Sequence, residues 1–369
     1  MKDFQLQLNY PPQGVYFPGM TVTGTVFAVN DEPKDYKAIQ VKIIGFAHVH
    51  WSETSGTGDN QRTDYYTSHE DYLNTFIRVW DKDTSAGGGQ FPVGSYQFPF
   101  SLQLVGNNLP ASYEGAVGLI KYTIEARVIQ GLLKPDIICE TTIKVVNVVE
   151  INRPDLLQPK SMEVQKTLCC LCCASGPIVI TARTPRTGYC ILQDSIPVEV
   201  SVENGSSREV RQIVASIHKV VHYTAQGHHR YDRIDVTYIA SEPVPAHNTT
   251  VWQPPPLIVL ATPVTSINCG ILQVYYFLRV KAAISWAINP TIDFPLVLGN
   301  VPLPGTEASP QPTMPPQQGL GLVPPPQSQP GGIPYAMPQQ PMPQPFPPPA
   351  SIPLDPFPPP PPCYDDKSS

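Results

Sequence analysis

Charge is scarce in this chain. Of its 369 residues, 15% are Asp, Glu, Lys or Arg, the net charge is −6, and lysines or arginines nowhere form a run. Binding nucleic acid or an anionic membrane through bulk charge needs such a run, so no nucleic-acid function is expected and only a small local patch stays open. Long apolar stretches are missing as well. None reaches the roughly 18 residues that a membrane-crossing helix requires, so no transmembrane span is expected. The opening Met1-Lys2-Asp3-Phe4-Gln5-Leu6-Gln7 lacks the apolar centre of a secretory signal and points to a cytoplasmic protein. Enzyme signatures are absent too: there is no Gly-x-Ser-x-Gly, no phosphate-binding loop and no His-Glu-x-x-His. Gly87-Gly88-Gly89 precedes no helical pattern, and the carboxylates are scattered over turns. The chain is read as a non-enzyme with no catalytic residues and no cofactor.

Proline is abundant and unevenly spread, with 25 of the 46 lying in residues 301–369. That stretch has five charged residues (Glu307, Asp355, Asp365, Asp366, Lys367) and few branched aliphatics. Too little apolar surface is available to offset the entropy of ordering it, so the tail is expected to be disordered. Four of the eight cysteines are packed into Cys169-Cys170-Leu171-Cys172-Cys173. Adjacent cysteines in a chain without an export signal read as reduced thiols.

The first 300 residues carry strand patterns almost throughout, and no amphipathic helix longer than two turns is found. In 36–51, Ile39, Val41, Ile43, Gly45, Ala47, Val49 and Trp51 share one face. Gln40, Lys42, Ile44, Phe46, His48 and His50 share the other, as in a half-buried antiparallel strand. Further strands are expected at 74–80, 95–103, 119–130 and 138–149, with a polar loop over 52–71. In the second half they are expected at 178–182, 196–202, 210–223, 235–240, 257–260, 271–283 and 292–298. Asn204-Gly205 between two of these reads as a hairpin turn. Many short strands with turns about every 8–15 residues predict an all-β protein of two β-sandwiches. The divisions are a first domain at 1–152, a linker with the cysteine cluster at 153–175, a second domain at 176–303 and the Pro-rich tail at 304–369.

Several segments, in order, carry a resemblance. Tyr16-Phe17-Pro18-Gly19, Val22-Thr23-Gly24-Thr25-Val26 and Gly45-Phe46-Ala47-His48-Val49-His50-Trp51 look like the opening of an arrestin N-domain. Gly94-Ser95-Tyr96-Gln97-Phe98-Pro99-Phe100 and Leu109-Pro110-Ala111-Ser112-Tyr113-Glu114-Gly115 extend it. The cysteine cluster leading into Ser175-Gly176-Pro177-Ile178, then Gln273-Val274-Tyr275-Tyr276-Phe277-Leu278-Arg279-Val280 and Pro295-Leu296-Val297-Leu298-Gly299, resemble the C-domain of the arrestin-domain-containing family, the α-arrestins. Pro361-Pro362-Cys363-Tyr364 is a PPxY motif of the kind that family carries behind its second domain. The resemblance implies an immunoglobulin-type pair of sandwiches and an adaptor role. PPxY would dock WW domains of HECT-type ubiquitin ligases, and the arrestin fold would engage a membrane receptor or transporter as cargo, through exposed strands and loops such as 52–71, for ubiquitination, endocytosis and sorting at plasma membrane and endosomes. A sorting scaffold that works without ubiquitin, as retromer-type arrestins do, is the alternative. The chain has one PPxY where many relatives have more.

Each signal has its chemistry. Prolines preset a polyproline II helix, so Pro361 and Pro362 lose little entropy on entering an aromatic groove, while Tyr364 supplies a ring and a hydroxyl. The cluster offers Cys-x-x-Cys at 169/172 and 170/173, but two overlapping pairs in five residues cannot all point at one ion, so no metal site is expected. A segment buried or half-buried between domains is the reading preferred for Cys169, Cys170, Cys172 and Cys173, with reversible acylation near a membrane as the alternative. His218, His222, His228 and His229 lie within twelve residues. His218 and His222 would stand about 13 Å apart along a strand, too far to share a metal, and the histidines are expected to face solvent.

Loss of apolar periodicity after Leu303 predicts the outcome of limited proteolysis: a stable fragment ending near that residue. Cleavage running freely through 150–300 would contradict the division.

Overall fold

Alternating apolar and polar residues produce strand after strand. The computed structural model describes residues 1–303 apart from 85–88, 107, 132–133, 171–172 and 267, and contains no α-helix among them. Strands β1 to β5 are Asp3–Asn9, Thr21–Asn30, Ala38–Ser55, Arg62–Asp81 and Gly94–Gln103. Strands β6 to β8 are Tyr113–Glu114, Gly118–Ile129 and Ile137–Ile143. Strands β9 to β14 are Lys160–Cys170, Cys173–Thr184, Gly188–Cys190, Ser195–Ile196, Glu199–Asn204 and Val210–Ala225. Strands β15 to β19 are His228–Ala240, Asn248–Trp252, Leu257–Ile258, Leu272–Ile284 and Thr291–Gly299.

In the first sandwich, β1-β2-β5 face a sheet ordered β4-β3-β7-β6, with β8 also on β7. In the second, β16-β13-β10-β9 face β11-β19-β18-β14-β15, beside the short pair β12-β17. The pairs are antiparallel except β11 with β19. The expected face of β3 is the buried one: Ile39, Val41, Ile43, Ala47, Val49 and Trp51 all enter the core. Each of the isoleucines and valines contributes about 1.5–3 kcal/mol on burial. Gly45 interrupts this row for a reason. A Cβ there would lie 2.6 Å from the Tyr122 ring, which crosses β3 and donates its hydroxyl to the Pro110 carbonyl at 2.7 Å.

The two sandwiches are stitched at the stretch that joins them. Asn300 follows β19, and its Oδ1 accepts the Val149 N–H at 2.9 Å while its Nδ2 donates to the Asn147 carbonyl at 2.8 Å. Val301 then bridges Glu150 in parallel. At Gly299 any Cβ would collide with the Val149 carbonyl oxygen, so only glycine permits this approach.

Four expectations are corrected. The polar loop over 52–71 is mostly strand, because β3 and β4 continue in register from Ala38↔Asp81 to Ser55↔Arg62. Residues 160–170 within the linker form β9, paired with β10. Asn204-Gly205 is no hairpin: β13 pairs with β10 and β16, not with β14. The tight turn lies instead at Gln226-Gly227, both at positive φ, joining β14 to β15. His218 is buried rather than solvent-facing.

Asn204 has another task. Its amide donates to the carbonyls of Arg208 at 2.8 Å and Pro245 at 2.9 Å, and its Oδ1 accepts from Ser206 N and Oγ at 3.1 and 2.7 Å. Asn204→Ala leaves buried carbonyls unsatisfied and is expected to cost about 3 kcal/mol, measured by urea unfolding. Loss below about 0.5 kcal/mol would show that the amide is not a structural strut.

Candidate functional site

The β3–β4 hairpin is the longest paired element, and period two gives β4 two environments. Tyr65, Thr67, His69 and Asp71 point outward, while Tyr66, Ser68, Glu70 and Tyr72 point toward the second sandwich. On the outer side, His50 stacks on Tyr65 with centroids 6.1 Å apart, and its Nδ1 lies 2.9 Å from Thr67 Oγ1. His69 stacks on Phe46 at 5.2 Å and lies beside His48 at 5.8 Å. Tyr65 is 66% exposed. The result is a solvent-facing stripe of aromatic and imidazole rings, supported by a two-stranded backbone. Such rings combine contact area with hydrogen-bonding tips and suit recognition of another protein.

The inner side fastens the domains together. The Tyr66 ring packs on His228 at 4.3 Å, at the start of β15. Glu70 Oε2 accepts the Gly270 N–H at 3.0 Å. Burial raises the Tyr72 hydroxyl above its ordinary range, with Cys269 beside it, and burial likewise raises the Cys269 thiol. Tyr223 of β14 is fully buried and reaches Gly115 and Gly118, where a Cβ at either would strike it.

A charged rung crosses the second sandwich from β15 to β19. Arg279 binds Asp293 through Nε and Nη2, both at 2.7 Å, and its Nη1 lies 3.2 Å from His218 Nε2. Arginine cannot accept, so Nε2 accepts; the ring proton therefore sits on Nδ1 and is donated to Asp235 at 2.8 Å. Burial, opposed by the Asp235 bond and reinforced by Arg279, holds His218 below the usual imidazole value of 6.5. Further along the hairpin, His222 Nε2 meets His229 Nδ1 at 3.0 Å. Among the described residues no group of three or more His, Cys, Asp or Glu is placed to hold a metal ion.

Pro361, Pro362 and Tyr364 lie outside the described residues, so the structure does not bring the PPxY motif to any site. Of the cysteine cluster, the backbone of Cys169, Cys170 and Cys173 is described as the end of the β9–β10 pair, while Cys172 and the side chains of all four lie outside it. Reading the sequence offered 52–71 as a recognition surface, but as a loop, and did not single out Tyr65, Tyr66 and Glu70 within it. Their alternation is of polar with polar, which resembles a loop; the ring-rich composition of 65–72 is the signal that was there.

Comparison with known proteins places this geometry. Residues 4–152 match the model of the arrestin (or S-antigen) N-terminal domain, and residues 174–303 match that of the C-terminal domain. The chain is 28% identical over 307 residues to arrestin domain-containing protein 4 of Homo sapiens, covering 83% of this chain and 73% of that protein. It is 27% identical over 339 residues to arrestin domain-containing protein 1 of Homo sapiens, covering 91% and 71%.

The His218 rung predicts a pH response with a definite sign. The folded state binds fewer protons at this ring than the unfolded chain, so its stability is fully present above 6.5 and falls as pH drops below that value. Melting temperature followed from about pH 7 to about pH 5 is expected to fall more steeply for the native chain than for His218→Gln. The glutamine amide can donate to Asp235 and accept from Arg279 without titrating. Parallel curves would remove His218 as the cause.

Proposed function

Because the chain belongs to the family of arrestin domain-containing proteins, the α-arrestins, we propose that this arrestin-like adaptor couples membrane cargo to ubiquitin ligases. The observation that carries the reading is the succession, in one chain, of two arrestin sandwiches and a PPxY motif at Pro361-Pro362-Cys363-Tyr364. The motif docks WW domains of HECT-type ligases, and the sandwiches engage a receptor or transporter at plasma membrane and endosomes, which leads to ubiquitination and internalisation. The ring-lined outer face of the β3–β4 hairpin is the surface best suited to the cargo. It is exposed, rich in aromatics and held rigid by pairing along its length. The protein acts here by bringing partners together, with no chemical step of its own.

A lone PPxY peptide buries a small surface, so one WW domain is expected to bind it in the micromolar range, about −7 to −8 kcal/mol. Tyr364→Ala empties the pocket and removes a hydrogen bond, for a loss of about 2 kcal/mol or more. Replacing Cys363 matters far less. With a single motif, ligases carrying several WW domains gain avidity only when cargo clusters the adaptor. In cells, Tyr364→Ala should abolish ubiquitination of adaptor and cargo while cargo contact persists. WW binding that survives Tyr364→Ala undiminished would favour a sorting scaffold independent of ubiquitin.

A further inference from the structure

The tip of the β14–β15 hairpin holds a cluster that the adaptor role leaves unused. His222 and Thr224 share one face of β14, and their register partners on β15 are Tyr231 and His229. Three atoms converge there. His222 Nε2 lies 3.0 Å from His229 Nδ1, and Thr224 Oγ1 lies 3.3 Å from each nitrogen. Hydrogen bonding meets these contacts only in part: a neutral ring nitrogen either donates or accepts, and the hydroxyl has one proton to share between two nitrogens. A metal ion engages all three atoms. Zinc stands about 2.0–2.1 Å from an imidazole nitrogen, so neighbouring ligands of a tetrahedral site lie about 3.3–3.4 Å apart. Two edges of the triangle already match that spacing. The third opens by turning His229, whose side chain is exposed and packs in no core. His222 is steadied from outside the triangle. Tyr231 stacks on it at 4.5 Å and 6° from parallel, and Gln273, its register partner on β18, adds a side-chain hydrogen bond. Imidazoles that hold metals are commonly oriented by such outer contacts.

We propose that His222 and His229, with the Thr224 hydroxyl as third donor, bind one divalent transition-metal ion of the zinc class, and that water completes its coordination. Nitrogen donors select the class. Calcium and magnesium require oxygen ligands, whereas imidazole suits zinc and its neighbours. Two nitrogens and a hydroxyl form a weaker set than the four ligands of a structural zinc site. They also differ from the sets of three or more His, Cys, Asp or Glu that are lacking among the described residues. The ion is therefore exchangeable and loads as its supply rises. Its place gives loading a consequence. The ion spans β14 and β15 just before the turn at Gln226-Gly227, and the adjacent His228 packs on Tyr66 of the first sandwich at 4.3 Å. Occupancy steadies the end of the hairpin that meets the other domain, whichever cargo or ligase the protein serves.

Calorimetry on the full chain with zinc chloride tests the site, with cobalt(II) absorption as a second readout. The native chain is expected to bind one equivalent of zinc more than the double variant His222→Gln/His229→Gln, in the micromolar range. Either single substitution should raise Kd about tenfold or more, and Thr224→Val about threefold. His228→Gln, on the opposite face of β15, should leave Kd unchanged. Cobalt in the site should show ligand-field bands without the thiolate charge-transfer band of a cysteine site. Zinc should raise the melting temperature of the native chain and not that of the double variant. A native chain that binds no more zinc than the double variant overturns the proposal. So does binding that the single substitutions leave intact, or that His228→Gln weakens equally. A thiolate band as the only cobalt signal also overturns it, by assigning the ion to cysteines. Metal-free melting temperatures equal to that of the native chain exclude misfolding as the cause of a loss. His229→Gln, at an exposed position, keeps the test decisive where His222→Gln melts lower.

Discussion

Period-two alternation is the constraint on which the rest of this structure depends, because it gives every strand two faces that must each find a suitable neighbour. In most strands one face enters a sandwich core and the other meets water. The hairpin of β3 and β4 has more to satisfy. Its base buries Ile39, Val41 and Ile43 in the first core, while further along Tyr66 and Glu70 reach His228 and Gly270 of the second sandwich. Only the remaining face is left to solvent, and there the chain places Tyr65, His50 and His69. The exposed rings are therefore where they are because the other face of the same strand is committed to holding the domains together.

The same logic explains how two sandwiches with few charges stay joined. Among the described residues the contact relies on aromatic packing and single well-directed hydrogen bonds rather than on ion pairs. Asn300 satisfies two backbone groups of the joining stretch with one side chain, and Gly299 lets the backbones approach closely enough for it. Buried asparagines recur as the device that ends a strand in each sandwich. Asn30 closes β2 by donating to the carbonyls of Glu32, Phe91 and Pro92, and Asn204 closes β13 by donating to those of Arg208, Val244 and Pro245. An amide answers several otherwise orphaned carbonyls without carrying a charge into the core.

Much of this was legible in the sequence wherever alternation was between apolar and polar residues. The 36–51 strand, its buried face and the all-β class follow from it directly, and ordered motifs from Tyr16 to Gly299 gave the family. Legibility failed where a strand has polar residues on both faces, as at 62–72, since hydropathy carries no signal there. It failed at Asn204-Gly205 because a dipeptide that tolerates positive φ also caps strands, and local propensity cannot distinguish the two tasks. His218 failed for a third reason. A buried imidazole is affordable only beside Asp235 and Arg279, and those partners lie on neighbouring strands, 17 and 61 residues away.

Scarcity of charge sharpens the meaning of the places where charge gathers. In the Asp235–His218–Arg279–Asp293 rung, a neutral imidazole links one carboxylate to the arginine, the arginine meets the second carboxylate, and every donor has an acceptor, so the desolvation of the buried groups is offset by their neighbours. Such a rung is self-contained and has no use for a ligand. Lys121, Lys144 and Lys219 line a cleft between the sandwiches together with Glu114, and among the described residues none of the three lysines is ion-paired; each keeps some exposure to water. Evenly mixed charges suffice for solubility, and a packed core needs none. Charge that no partner answers is kept where water can solvate it, while a titratable ring carried into a sheet, as His218 is, is held by a hydrogen-bonded partner on either side.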